Sequence, residues 1–169
     1  AIEAFAAAAE RCEKAGIDGV EIHGAHGYLI AQFLGTVTNR RTDSWGGDLA
    51  ARSRFLMRII EEVRSRTSPS FVVVVRISPE IGSLGITLDD SLELAKRLIE
   101  TEIDAIHISC WDVFKGPEGT SVDSPTLTRR FREVLPNDFP LISTGSIWTR
   151  DDVQFVMNEG ADLVGVGRV

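Results

Sequence analysis

The chain has 169 residues, of which 43% are hydrophobic and 25% are charged. This length and composition are typical of a globular protein with one core, so a single domain is expected over 1–169. The net charge of −7 provides no broad positive field for a polyanion, and nucleic acid is therefore not expected as a partner. The sequence has no run of 18 apolar residues and no signal-peptide pattern, so no membrane partner is expected. Cys12 and Cys110 have neither metal-ligand nor disulfide-framework spacing, and we expect reduced thiols in a cytoplasmic protein.

Helical and strand-like stretches alternate along the chain. In chain order, the predicted elements are a helix at 2–16, a strand at 19–23, a helix at 52–66, a strand at 71–78, a helix at 87–102, a strand at 105–109, a helix at 126–136, a strand at 140–145, a helix at 149–160 and a strand at 162–167. Two strand-like runs, FVVVV and DLVGV, are apolar throughout, as in a parallel sheet that helices cover.

The order of the elements predicts an α/β fold with right-handed crossovers. The segments AGIDGVEI, TEIDAIHI and EGADLVGV each join a helix end to a strand through a small residue and an aspartate. This repetition favours the βα unit of a TIM (β/α)8 barrel, although a doubly wound sheet remains an alternative. A whole barrel needs about 250 residues, so we expect a partial TIM (β/α)8 barrel of about five parallel βα units.

Polar or small residues follow every predicted strand, at the carboxyl end where parallel α/β folds bind their ligands. They are His23, Arg76, Ser109 with Cys110, Gly145 with Ser146, and Gly167 with Arg168. Each residue alone is a weak signal, but together they predict one ligand-binding rim.

The segment EIHGAHGYL contains two of the three histidines and the only tyrosine. A spacing of three places His23 and His26 on one side of a helical turn, where two neutral imidazoles can donate hydrogen bonds to one oxygen. The pair could also ligate a metal, though no third ligand of the HExxH kind follows, or it could satisfy loop carbonyls. Tyr28 adds a phenol that can donate a proton, or it is an amphipathic core residue.

The stretch AGIDGVEIHGAHGYLIAQFLGTVTNRRTDSWGGDLAARSRF resembles the old yellow enzyme family, the NADH:flavin oxidoreductases. The resemblance continues through VVVRISP, AIHISCWD, LISTGSI and GADLVGVGR, so it covers essentially the whole chain. It implies that the five strands are the fourth to eighth of the barrel and that the first three are missing. Residues 1–169 are therefore expected to be a single incomplete FMN-binding domain, a fragment of a longer oxidoreductase.

The resemblance also implies catalytic roles. His23 and His26 would bind the carbonyl or nitro oxygen of the substrate, and Tyr28 would protonate the carbon next to that group. Hydride from reduced flavin adds to the β-carbon, and paired donors stabilise the negative charge that builds on the oxygen.

The remaining strand ends correspond to cofactor contacts in the family. Arg76 would lie against the pyrimidine edge of the flavin; the alternative is a strand-end arginine that pairs with a carboxylate. Gly145, Ser146, Gly167 and Arg168 would hold the FMN phosphate, because glycine allows close approach of backbone N–H groups and arginine offers a charged fork. Without the resemblance, two tight glycine turns and a solvated arginine would be the simpler interpretation.

Three further features have ordinary interpretations beside functional ones. Trp111 would line the mouth of the substrate site, or it is a buried tryptophan. His107, within a predicted strand, is interpreted as a core or rim histidine whose hydrogen bonds are satisfied. The segment NRRTDSWGGD is expected to be a loop ordered by Arg–Asp pairing, with Trp45 packed under it.

The expected function is that of an FMN-dependent NAD(P)H oxidoreductase which reduces activated C=C bonds in enones or nitroalkenes, with NADH or NADPH as reductant. Dienoyl-CoA reductase-like and amine dehydrogenase-like members of the family are alternatives. A second hypothesis is a non-catalytic half-barrel that serves as an assembly module. Because a five-strand arc leaves two unpaired edges and an open inner face, self-association through the open side is expected.

Overall fold

Five parallel strands form one sheet in this computed structural model, which describes residues 1–167. The strands are β1 (Gly19–Gly24), β2 (Val72–Ile77), β3 (Ala105–Ser109), β4 (Leu141–Thr144) and β5 (Leu163–Gly165). The helices are α1 (Ile2–Lys14), α2 (Leu29–Leu34), α3 (Leu49–Arg64), α4 (Leu88–Leu98), α5 (Leu127–Arg132) and α6 (Arg150–Asn158). A short 3-10 turn at Gly82–Leu84 lies between β2 and α4.

The strands lie in the sheet in their chain order, from β1 at one edge to β5 at the other, and every neighbouring pair is parallel. A doubly wound sheet reverses its strand order at a switch point, and this sheet has no such reversal. The arrangement therefore confirms the predicted run of βα units and favours the barrel-type interpretation.

The two faces of the sheet differ in chemistry because successive side chains of a strand alternate between them. The face against the helices is apolar and closed: its buried residues are Ile22, Val73, Val75, Ile77, Ile106, Ile108 and Leu141, each at most 3% exposed. The opposite, inner face carries polar side chains in register, with His23 beside Arg76 and Arg76 beside His107. The helix side holds the core, and the inner face can hold a site.

An aromatic cluster fixes the long segment between α2 and α3. Phe55 of α3 stacks on Phe33 with ring centroids 4.5 Å apart and meets Trp45 edge-on at 6.5 Å. Arg41 donates to Asp43 within the same segment. The predicted loop with an Arg–Asp pair and a packed tryptophan is therefore confirmed.

Side-chain caps define where most helices begin. Asp48, Thr87, Thr126 and Thr149 each accept a hydrogen bond from a backbone N–H in the first turn of the helix that follows.

Helix α2 was not predicted: it is six residues long and its N-cap, Tyr28, makes no side-chain capping bond. The last strand is shorter than predicted. None of the helices within residues 1–167 is both long and apolar enough to cross a bilayer.

Candidate active site

The chain turns sharply after β1, and this turn carries His26, whereas His23 belongs to the strand itself. His26 and Gly27 have φ values of 59° and 77°, in the left-handed region that few non-glycine residues adopt. The backbone N–H of His26 donates to Ser78 Oγ at 3.1 Å, so the turn is fixed to the carboxyl end of β2. Gly24 lies so close to β2 that a Cβ there would be 2.9 Å from the carbonyl oxygen of Arg76.

The three predicted catalytic residues lie together at this turn. The ring of His23 is 5.0 Å from that of His26 and 5.2 Å from that of Tyr28, measured between centroids. Tyr28 is 62% exposed, so it is not an amphipathic core residue. Two imidazoles and a phenol therefore form one cluster that is open to a ligand.

The charges around the cluster favour neutral imidazoles. Partial burial lowers the pKa of His23 and of His26, and the positive charge of Arg76 lowers both further. Glu21 acts in the opposite direction but does not outweigh these effects. A neutral imidazole has one N–H, so each ring can donate one hydrogen bond to an oxygen at neutral pH.

Arg76 is placed between the imidazoles and the centre of the inner face. Its Nη2 donates to Ser109 Oγ at 2.9 Å, and its Nη1 lies 3.8 Å from a carboxylate oxygen of Glu21. The alternative of a strand-end arginine near a carboxylate is thus confirmed, at a distance too long for a hydrogen bond, whereas the flavin contact stays a prediction. The Nε atom is buried and has no hydrogen-bond partner among residues 1–167. The guanidinium retains donor capacity for a ligand.

His107 is held by a carboxylate from β1, two strands away. Its Nδ1 lies 2.5 Å from Glu21 Oε2, and the side chain is mostly buried. Burial raises the pKa of Glu21, but the hydrogen bond and charge of His107, with the charge of Arg76, outweigh this effect and lower it. The prediction of a satisfied rim histidine is confirmed for Nδ1, whereas Nε2 has no partner in the described part of the chain.

The glycine-rich ends of β4 and β5 form a close-packed rim. A Cβ on Gly145 would be 2.2 Å from the carbonyl oxygen of Cys110, so only glycine fits there. Ser146 has a φ of 54°, and its hydroxyl donates to the carbonyl oxygen of Trp111 at 2.8 Å. Gly167 lies at the same rim, and the predicted contact Arg168 lies outside the described residues.

A cleft of about 790 Å³ connects His26 and Arg76 with the rim formed by β4 and β5, and neither His23 nor Tyr28 is part of its lining. Its lining includes His26, Arg76, Ser109, Trp111, Thr144, Gly145, Ser146, Trp148, Gly165 and Gly167. The volume is within the range of about 300–1,000 Å³ that small-molecule and cofactor sites occupy. Trp111 is 91% exposed at this cleft, so the alternative of a buried tryptophan is wrong.

Sequence reasoning did not assign roles to several residues of the site. Glu21 and Ser109 bond to residues 86 and 83 positions away, and only the strand register brings such partners together. The one available signal for Glu21 was a charged residue inside an apolar strand. Ser78 and Trp148 gave no signal beyond lying near predicted strand ends.

Known proteins resemble this chain in sequence. The sequence profile of the NADH:flavin oxidoreductase / NADH oxidase family matches residues 1–169. The chain is 42% identical to a probable NADH-dependent flavin oxidoreductase, YqiG, of Bacillus subtilis, over 99% of this chain and 46% of that protein. It is 38% identical to an NADPH dehydrogenase of Clostridium acetobutylicum, over 99% of this chain and 50% of that protein.

Solved structures show the same fold. The old yellow enzyme homologue from Zymomonas mobilis matches with a TM-score of 0.80 and 30% identity, over 99% of this chain and 47% of that one. Morphinone reductase in complex with tetrahydroNAD matches with a TM-score of 0.79 and 30% identity, over 99% and 44%. The predicted partial barrel is thereby confirmed.

The chain spans about half the length of the curated relatives and solved structures that it matches. Within that half, the match runs from one end of the chain to the other. This chain therefore belongs to the old yellow enzyme family, the NADH:flavin oxidoreductases.

Proposed function

We propose that the protein is an FMN-dependent NAD(P)H oxidoreductase that reduces activated C=C bonds in small molecules such as enones and nitroalkenes. The observation that carries the proposal is the cluster of His23, His26 and Tyr28 beside a cleft that also contains Arg76. The names of the relatives, an NADH-dependent flavin oxidoreductase and an NADPH dehydrogenase, support the same class of reaction.

The residues of the cleft fit a flavin mononucleotide. The buried Nε of Arg76 has no partner within residues 1–167, and a cation there suits the electron-rich pyrimidine edge of the ring. A Cβ on Gly167 would meet nothing within 4 Å among residues 1–167, so the main chain there is open to a phosphate. Arg76, Gly145, Ser146 and Gly167 would hold the cofactor, which when bound supplies hydride received from NADH or NADPH.

The imidazoles bind and polarise the substrate. With both rings neutral, His23 and His26 each offer one N–H, and their centroid separation of 5.0 Å allows both to reach one oxygen. As negative charge develops on that oxygen, these donors stabilise it more strongly than they stabilise the ground-state carbonyl. The pair therefore lowers the barrier and also orients the alkene.

Tyr28 completes the addition. Its exposed phenol lies beside His23, so its hydroxyl can reach the carbon next to the activating group while the oxygen is held by the imidazoles. The phenol transfers its proton to that carbon, and solvent restores the proton afterwards.

The first experiment is an absorbance spectrum of the purified chain in the flavin region, followed by NADH- or NADPH-driven reduction of cyclohexenone. A yellow protein with alkene reductase activity would support the proposal. A chain that binds added FMN but reduces no alkene, after its NAD(P)H reduction has been established, would contradict the substrate class.

A second candidate function is a non-catalytic half-barrel, an assembly module that keeps the family's sequence. The open inner face favours it: Val72 and Leu163, at the amino-terminal ends of β2 and β5, are 42% and 56% exposed. We propose that two copies associate through this side, which would cover both edge strands. Light scattering measures the mass of the protein in solution and so tests this association. A monomer that binds FMN stoichiometrically would exclude it.

A further inference from the structure

Ser109, at the carboxyl end of β3, connects two functional groups that come from the β1–β2 side of the sheet. The residue is only 8% exposed. Its hydroxyl oxygen lies 2.9 Å from Arg76 Nη2, which belongs to β2, and 2.6 Å from His26 Nε2, which follows β1. One hydroxyl thus contacts both the cation proposed to face the flavin and an imidazole proposed to face the substrate.

The chemistry of the three groups sets the direction of these hydrogen bonds. A guanidinium can only donate, so Ser109 Oγ accepts from Arg76. The hydroxyl has a single proton left to place, and among residues 1–167 His26 Nε2 is the partner within hydrogen-bond distance. Because partial burial and Arg76 lower the pKa of His26, its neutral ring has a nitrogen lone pair that can accept this proton.

The opposite direction leaves a bond unmade. If His26 donated from Nε2, the serine oxygen would receive two donors, and its own proton would have no acceptor in a nearly buried position. In the chain of bonds from Arg76 through Ser109 to His26, the serine hydroxyl accepts one hydrogen bond and donates the other. This chain of bonds also aligns the dipoles, so the cation polarises the serine hydroxyl and makes it a better donor.

We propose that Ser109 is a positioning residue that fixes the tautomer of His26. The serine hydroxyl donates its proton in a hydrogen bond to Nε2, so the ring proton of His26 is on Nδ1. His26 then presents Nδ1–H to the substrate oxygen. The use of that donor by a substrate rests on the proposed function, whereas the tautomer itself belongs to the protein alone. The same contact ties the orientation of the imidazole to that of Arg76.

The test is ¹⁵N NMR of the imidazole nitrogens in the protein without flavin, at pH 7.5. We expect wild-type His26 to show a protonated Nδ1 and an unprotonated Nε2. Ser109→Ala removes the donor and should shift the ring towards the Nε2–H form that free histidine side chains favour, whereas Ser109→Thr keeps a hydroxyl and should retain the wild-type pattern. A wild-type spectrum with the proton on Nε2 overturns the proposal, even if a variant fails to fold.

Ser53→Ala is the matched control. Ser53 is also a buried serine whose hydroxyl makes a hydrogen bond, to the carbonyl oxygen of Ala50 within α3, and it is not part of the cleft lining. Its loss should leave the His26 signals unchanged. If Ser53→Ala shifted them as much as Ser109→Ala does, the effect would be general loosening, and the assigned role of Ser109 would be wrong.

Kinetics separate this proposal from the proposed function. In flavin-loaded protein, Ser109→Ala should slow alkene reduction about tenfold, less than the ~10²–10³ expected when an oxyanion donor is lost outright, and Ser109→Thr should restore it. A chain without alkene reductase activity would overturn the proposed function while the NMR result on the tautomer still stood.

Discussion

The rim that follows β1 and the rim that follows β4 and β5 are built by different means. At the first, the function resides in side chains: the imidazole of His23 in β1, and the imidazole of His26 and the exposed phenol of Tyr28 on the turn that Ser78 holds. At the second rim, the function resides in the main chain. Gly145 is required there because any side chain would collide with the carbonyl of Cys110. A side-chain rim can lose its chemistry and keep its fold, whereas a main-chain rim loses both together.

The largest effect is expected from Tyr28→Phe. Loss of the proton donor should slow alkene reduction by ~10²–10⁴, while reduction of the flavin by NADPH is unchanged. The free energy of unfolding should stay the same because the side chain is 62% exposed. Stopped-flow measurement of the two half-reactions checks this, and an equal loss in both would refute the role given to Tyr28.

The second rim should respond in stability. Gly145→Ala places a Cβ 2.2 Å from the carbonyl oxygen of Cys110 at a φ of 146°, so we expect a loss of about 3 kcal/mol in the free energy of unfolding, and weaker FMN binding. Gly47→Ala is the control, since Gly47 also has a positive φ, 98°, but its Cβ would meet nothing within 4 Å. Backbone strain alone should cost it about 1 kcal/mol. Equal losses in urea unfolding would show that the contact with Cys110 is unimportant.

Acidification should lower the free energy of unfolding through His26, which lies in the rim that follows β1. The folded-state pKa of His26 is lowered by partial burial and by Arg76, with smaller lowering by His23 and His107 and an opposing effect of Glu21. The unfolded chain therefore takes up the proton first, at about pH 6.5, and the stability present above that pH is lost as the pH falls towards the folded-state pKa.

The measurement is urea unfolding of the wild type and of His26→Asn between pH 7.5 and 5. Asparagine tolerates the left-handed backbone of position 26 and does not titrate. The stability difference between the two proteins should therefore shift in favour of the variant on acidification. A difference that is constant with pH would mean that His26 has the same pKa in both states.

The smallest effect is expected at the mouth of the cleft. Trp111→Ala removes a 91% exposed aromatic face and should raise the KM for the alkene about fivefold, which corresponds to ~1 kcal/mol. Stability should change by less than about 0.5 kcal/mol, as for other surface substitutions. Val122→Ala, at a residue that is 99% exposed outside the cleft lining, serves as control. An unchanged KM would remove Trp111 from the substrate site.

The sequence predicted the strands, five of the six helices and the cluster of His23, His26 and Tyr28, because each of these depends on local patterns. Apolar runs mark the strands, threonines mark helix starts, and a spacing of a few residues keeps the three side chains within one turn. Helix α2 was missed because six residues without a side-chain cap give almost no periodic signal.

The contacts that the sequence did not predict join distant strands. The pairing of Glu21 with His107 and the double contact of Ser109 arise only when β1, β2 and β3 adopt a definite register. A shift of one residue would move each of these side chains to the opposite face of the sheet. The type of a residue indicates which chemistry it can perform. Its partners depend on the register between strands, which no single stretch of sequence specifies.

The left-handed backbone at His26 also limits which amino acids can evolve there. With φ at 59°, the position favours asparagine, aspartate or histidine over branched and bulky residues. Of these three, only asparagine and histidine carry an uncharged N–H donor at neutral pH. Among related proteins, position 26 should therefore be either asparagine or histidine. A valine or leucine there would indicate a relative in which both the loop conformation and the hydrogen-bond donor have been lost.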